Sequence, residues 1–367
     1  MIFNEEQTML QDTARAFVQE HAPVSNLRAI RAELQGPAYD ANLWQQLCEL
    51  GLPAAALSED NGGLGFGYLG LAAVLMETGR NIVASPLVSS VAAASAMIEL
   101  AGSEAQKAQW LPLLSSGQIT ATVAVQEGRH YKLESLESTL IDGQLNANKT
   151  LVLDAQEAGL IIVVAINAEG ALCAAVLDTE DSSIEQERYP LMDGRKYSDL
   201  SIDELSVASD RILGEGADVD AAIKKALDIA TLAVAAEMVG GAESLIERTV
   251  IHLNDREQFD VKLATFQALQ HRCAEMYCQL ELAKSALLSA FTRLDAGKDI
   301  HKATSQTKAL TNECYQHLSN EAVQMHGGMG ITDELDIGLY LKRSRVCNQL
   351  FGDAQYHRNR YASALGL

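Results

Sequence analysis

The chain has 367 residues, 48% of them hydrophobic, which is more than one small core needs and suits two or three packed units. Its 49 acidic and 28 basic residues give a net charge of −21. That balance excludes a nucleic-acid partner, whose phosphates require a basic face, and leaves any anionic ligand to a local basic patch.

The opening residues, MIFNEEQTMLQDTARAF, are acidic and amphipathic, so no signal peptide is expected. Residues 5–20 place Met9, Leu10, Ala14, Phe17 and Val18 at helical spacing. A short helix over 43–50 ends at Gly51 and Pro53, and 59–65, rich in Gly, Asp and Asn, reads as a loop. Three more helices follow over 68–78, 86–101 and 104–114, the second with Ser85 and Pro86 as a start signal. From Thr120 the chain turns to short β-rich runs: 121–125, 138–141, 159–165, 171–177 and 197–205. Asp142-Gly143 and Glu169-Gly170 supply hairpin turns, so a small antiparallel sheet is expected. Beyond Asp218 long helical periods return over 220–253, interrupted at Gly240-Gly241, then 266–296, 300–324 and 334–348. Long helices with short connections read as a bundle. No unbroken apolar run reaches about 18 residues, so no membrane span is expected. The six cysteines show no metal-ligand spacing and read as inert thiols of a cytoplasmic chain, with no metal site. The fold class is therefore α+β: a helical domain (1–118), a β domain (119–215) and a C-terminal four-helix bundle (216–367).

One stretch stands out. Gln324-Met325-His326-Gly327-Gly328-Met329-Gly330 lies between two helical runs. Glycines there let backbone N–H groups approach an anion, or simply stop a helix. Other distinctive segments are Ser58-Glu59-Asp60-Asn61-Gly62-Gly63-Leu64-Gly65, Trp110-Leu111-Pro112-Leu113-Leu114, Asn146-Ala147-Asn148-Lys149-Thr150, Arg256-Glu257-Gln258-Phe259 with Phe266-Gln267-Ala268, and Leu339-Tyr340-Leu341-Lys342-Arg343. In this order and spacing they resemble the acyl-CoA dehydrogenase family of flavoproteins.

The resemblance implies FAD as cofactor, an acyl-CoA thioester as substrate, a 2-enoyl-CoA as product and electron-transfer flavoprotein as electron acceptor. It implies that Arg256 pairs with the FAD pyrophosphate as a planar, permanently charged fork. Phe259 packs on the cofactor or is an ordinary core Phe. Gln267, Gln324, Gly327 and Gly328 are further cofactor contacts, and His326 contacts phosphate or packs. In the family these elements usually reach the FAD of a neighbouring subunit, so an oligomer is implied.

The chain departs from the family pattern in three places. A Glu-Pro-Gly-x-Gly-Ser-Asp-like loop is replaced by Gln126-Glu127-Gly128-Arg129-His130-Tyr131, and a Trp-Ile-Thr-like strand by Leu151-Val152-Leu153. The Tyr-Glu-Gly-Thr-like turn that carries the base reads Phe351-Gly352-Asp353-Ala354, with Gly352 where the glutamate is expected. Asp353 is then the candidate base, or a cap, or a partner of Arg358 or His357. An alternative site for the base, near Ala230 or Thr231, holds no carboxylate, and Glu237 lies two helical turns on. Two readings follow: a homo-oligomeric FAD-dependent acyl-CoA dehydrogenase, or a non-catalytic subunit that completes the FAD site of a catalytic acyl-CoA dehydrogenase partner in a hetero-oligomer.

Overall fold

The computed structural model describes residues 3–214 and 217–367. The N-terminal helices are α1 (Glu5–His21), α2 (Val24–Ala32), α3 (Ala41–Glu49) and α4 (Gly67–Arg80). A π-helix (Leu87–Ala94) runs into α5 (Ser95–Ala101), and α6 (Glu104–Ser115) follows. Asn4 starts α1 with a reciprocal capping box to Gln7, and Ser103 does the same for α6 with Gln106. The expected start at Ser85 is displaced: Pro86 precedes a π-helical segment and no side chain caps it.

Seven strands form one sheet: β1 (Ala121–Ala124), β2 (Thr139–Ile141), β3 (Gln144–Leu153), β4 (Leu160–Ile166), β5 (Leu172–Asp178), β6 (Ile184–Pro190) and β7 (Lys196–Ser206). It is mainly antiparallel, as expected, but β1 and β2 run parallel to β4. Asp142 and Gly143 both have positive φ, as the hairpin turn between β2 and β3 requires. The sheet's core is aliphatic, built around Leu145, Val152, Ile161, Val163, Leu200 and Ile202.

The last segment comprises α7 (Ala217–Asp255), a short hairpin of β8 (Glu257–Gln258) and β9 (Val261–Lys262), α8 (Gln267–Asp295), α9 (His301–His326), α10 (Ile337–Gln349) and α11 (Ala354–Ala364). A 3-10 turn, Gly327–Ile331, joins α9 to the approach to α10. The expected interruption at Gly240-Gly241 is absent, because α7 runs unbroken through both glycines. They serve packing instead: a Cβ at Gly240 would overlap the Met76 carbonyl of α4, and one at Gly79 the Glu237 carbonyl of α7. One 18-residue window of α7, mean hydropathy 1.5, is long and apolar enough to cross a membrane by length and composition, but 94% of it is buried inside the folded chain. A search for unbroken runs passes over it because Asp228 and Glu237 punctuate the sequence.

The chain divides into two compact units. One comprises residues up to Ser25 together with Ala72–Val83 and Val234–Leu367; the other comprises Asn26–Leu71 and Ala84–Ala233.

Candidate functional site

In the bundle unit, the residues singled out by sequence gather at the ends of α7 and α9. Arg256 follows α7, is exposed, and has its backbone held by the His252 carbonyl (2.9 Å). The β8–β9 hairpin closes behind it, with Leu263 N–H donating to the Arg256 carbonyl (2.9 Å). Its two turn residues, Phe259 and Asp260, have φ of 58° and 62°. Both central residues of a type I′ turn need positive φ, which a bulky side chain adopts only at a cost. Phe259 is nevertheless 84% exposed, so it is no core residue. Its only ring partner among the described residues is Phe266, edge-on at 6.2 Å. The Phe259 ring is thus presented to solvent on a strained turn. Gln267 opens α8 beside Phe266 and is exposed.

The glycine turn lies at the end of α9. Gln324 is exposed on the last helical turn. Gly327 has φ 62° and ψ −143°, a conformation essentially restricted to glycine, and no atom lies within 4 Å of where a Cβ would be at Gly327 or Gly328. An open surface of backbone beside an exposed Arg suits an anionic, planar group such as a dinucleotide cofactor. His326 belongs to the packing instead. It is buried, its Nδ1–H donates to the Ala322 carbonyl (2.7 Å), and its ring stacks on His252 at 4.1 Å. That stack brings the Arg256 end of α7 beside the glycine turn. The basic run Lys342-Arg343 and Arg345 is also committed: Lys342 to Asp333, Arg343 to Glu237 (2.6 Å, both buried), and Arg345 to Asn320.

The turn between α10 and α11 is tightly built. Asp353 is half-buried, and its carboxylate accepts the Tyr356 N–H (2.8 Å) as the N-cap of α11. Gly352 has φ 105°, and a Cβ there would overlap the Tyr356 ring. His357 Nε2–H donates to the Phe351 carbonyl (2.9 Å). Burial, helped by the neighbouring Lys308, drives the His357 pKa down to about 3. Lys308 itself is fully buried and donates to Asn312 Oδ1 (2.7 Å) and to the carbonyls of Cys347 (2.8 Å) and Gly352 (3.3 Å). Sequence reasoning missed it, because one Lys within a helical pattern carries no sign of the turn 44 residues on.

In the other unit, the loop 126–131 is tied back to its own sheet. Glu127 accepts from the Glu137 N–H (2.6 Å), the Ser138 N–H (3.1 Å) and Lys149 (2.5 Å). Burial works to raise its pKa, but these three donors together lower it, so the carboxylate stays ionised. Val152 and Leu153 are buried in the sheet's own core, and Leu151, at φ 57°, has its N–H held by Asp199 (3.1 Å). No aromatic face or hydroxyl is offered by these three residues. A cavity of about 660 Å³ on this sheet is lined by Glu127, Glu137, Glu185 and Asp203 with Asn146 and Asn148, and by no lysine or arginine. Such a lining repels phosphates.

Comparison with known proteins agrees with this arrangement. Residues 4–118 match the N-terminal domain of acyl-CoA dehydrogenases and 220–366 the C-terminal domain. The chain is 28% identical to acyl-CoA dehydrogenase IpdE2 of Mycolicibacterium smegmatis over 350 residues, 95% of each chain. A solved variant of the Tcur3481-Tcur3483 steroid ACAD superposes with a TM-score of 0.91 at 28% identity, covering 99% of this chain and 98% of that one. The ChsE4-ChsE5 complex from Mycobacterium tuberculosis shares the fold, with a TM-score of 0.91 at 22% identity and coverage of 99% and 98%. With both terminal domains matched and the α, β, α order in place, the chain belongs to the acyl-CoA dehydrogenase family.

Proposed function

We propose that this chain is the non-catalytic subunit of a heteromeric acyl-CoA dehydrogenase, completing the FAD site of a partner that carries the catalytic base. The observation that carries the reading is the turn at 350–353. Only a glycine tolerates φ 105° against Tyr356, so Gly352 takes the glycine place of the Tyr-Glu-Gly-Thr-like pattern. The glutamate place then falls on Phe351, one residue earlier than sequence spacing alone suggested. Phe351 has no proton to exchange, and Asp353, the other candidate, has its carboxylate engaged as a helix cap. Proton abstraction requires a carboxylate within hydrogen-bond reach of the substrate carbon, and on this reading the partner, not this turn, supplies it.

The fit to FAD is divided in the same way. Arg256, with Gln324 and the open backbone of Gly327 and Gly328, suits the pyrophosphate of an FAD held by the partner, and Phe259 and Gln267 flank it. The residues that would hold a flavin ring in this chain, 126–131 and 151–153, do not fit: the Glu127 carboxylate is tied to the Ser138 N–H and to Lys149, Val152 and Leu153 are buried, and 151–153 offer neither an aromatic face nor a hydroxyl. Bound FAD supplies the hydride acceptor for an acyl-CoA whose α-proton the partner removes. Electron-transfer flavoprotein then takes the electrons, and we place the assembly in the cytoplasm. The names of the Tcur3481-Tcur3483 and ChsE4-ChsE5 structures, each joining two components, are consistent with a two-chain assembly.

The test is the FAD-to-chain ratio of the purified chain, alone and co-expressed with acyl-CoA dehydrogenases that carry the glutamate. Alone, it is expected to be colourless and unbleached by acyl-CoA; with its partner, FAD is retained, and Arg256→Ala weakens that retention. The competing reading, a self-sufficient dehydrogenase with Asp353 as base, requires full FAD occupancy and turnover by the isolated chain, abolished in Asp353→Asn.

A further inference from the structure

We propose that His252 is a positioning residue: through its stack on His326 it locks Arg256 and the glycine turn into one surface, and proton uptake by the rings releases the lock. His252 stands in the last turn of α7, and its carbonyl holds the Arg256 N–H at 2.9 Å. His326 ends α9, and Gly327 is bonded directly to it. The rings lie 4.1 Å apart and 25° from parallel, and their contact joins these two helix ends.

The tautomer follows from geometry. The Ala322 carbonyl can only accept, so His326 Nδ1 carries the proton and Nε2 is left with its lone pair. Neutral rings stack face to face; two imidazolium rings at this separation repel. The surrounding charges offer the protonated pair little relief. On α7, Asp255 opposes Arg256, and Arg248 one turn back is taken by Asp336. From α8, Arg272 faces this end of α9 and is neutralised by Glu321, while Cys273 meets Met325. Burial lowers the pKa of both rings from 6.5, and for His252 the His326 ring and Arg256 lower it further. Because both folded values lie below the unfolded one, the stack's contribution is full above pH 6.5, declines below it, and is lost as pH falls through the lowered folded values.

The first arm of the test uses the full chain alone. Amide exchange, corrected for its intrinsic pH dependence, is measured at pH 8 and 5.5 over 253–258 and 323–331. Wild type is expected to lose about tenfold protection in both segments together. His252→Phe and, independently, His252→Tyr keep a stacking ring without the proton and are expected to lose none. An equal acid response in these variants, or segments that loosen separately, overturns the proposal. The second arm rests on the reading of this face as FAD-facing: FAD retention by the two-chain assembly falls below pH 6.5 in wild type and stays flat in His252→Phe. Coupled loosening with pH-independent FAD retention would refute that reading while upholding the role of the stack.

Discussion

Asp353 and Lys308 meet at one turn and respond to different tests. The Asp353 carboxylate caps α11, so Asp353→Ala is expected to cost about 1 kcal/mol of stability, whereas Asp353→Asn, itself a good cap, is expected to be nearly neutral. Urea unfolding of both variants checks this, and equal losses would contradict the capping role. Burial holds the Lys308 ammonium at a pKa of about 7, against 10.5 in the unfolded chain. Between those values the unfolded chain binds more protons, so this group makes stability rise with pH. Wild type is expected to gain on Lys308→Met as pH goes from 7 to 10; a constant gap would refute it. At this scale the sequence showed which residues were unusual but not their conformation. Gly352 stood out in the sequence as a glycine where a glutamate is expected, but its φ of 105° and its approach to Tyr356 could not be read there. His252 and His326 lie 74 positions apart, and no local pattern announces that they touch.

At the scale of elements, glycine was misleading for a physical reason. Composition marks Gly240-Gly241 as a break, since glycine in a helix interior costs about 1 kcal/mol relative to Ala. Here the cost is offset by the approach of α4, whose Met76 carbonyl occupies the space of the missing Cβ. Gly240→Ala should therefore destabilise by about 1–3 kcal/mol despite raising helix propensity. A thermal midpoint at or above that of wild type would show that the two helices part freely. Strand β6 escaped reading because IEQERYP lacks clean alternation, and its charges suit its place at the end of the sheet order, beside β7 alone. The π-helix at Leu87–Ala94 was invisible as such, because its apolar run reads like any buried helix.

At the scale of the whole molecule, the α, β, α order was legible from periodicity alone, and the hairpin turns at Asp142-Gly143 and Glu169-Gly170 fixed two strand pairs. What periodicity could not give is which polar groups end up satisfied inside the fold, and that decided the reading of the site. The same global balance has a consequence for handling the isolated chain. Ile251, Phe259, Tyr277, Leu282 and Ile331 are exposed apolar side chains within one C-terminal stretch, on a chain of net charge −21. Mutual repulsion keeps such molecules apart only over a Debye length, about 30 Å at 0.01 M salt and about 3 Å at 1 M. The lone chain should stay monodisperse in dilute buffer and cluster as sodium chloride is raised, and light scattering that stayed flat from 0.01 to 1 M would contradict this. Colloidal behaviour thus becomes a reporter of assembly: a bound partner that covers the exposed rings should abolish the salt sensitivity before any catalysis is measured.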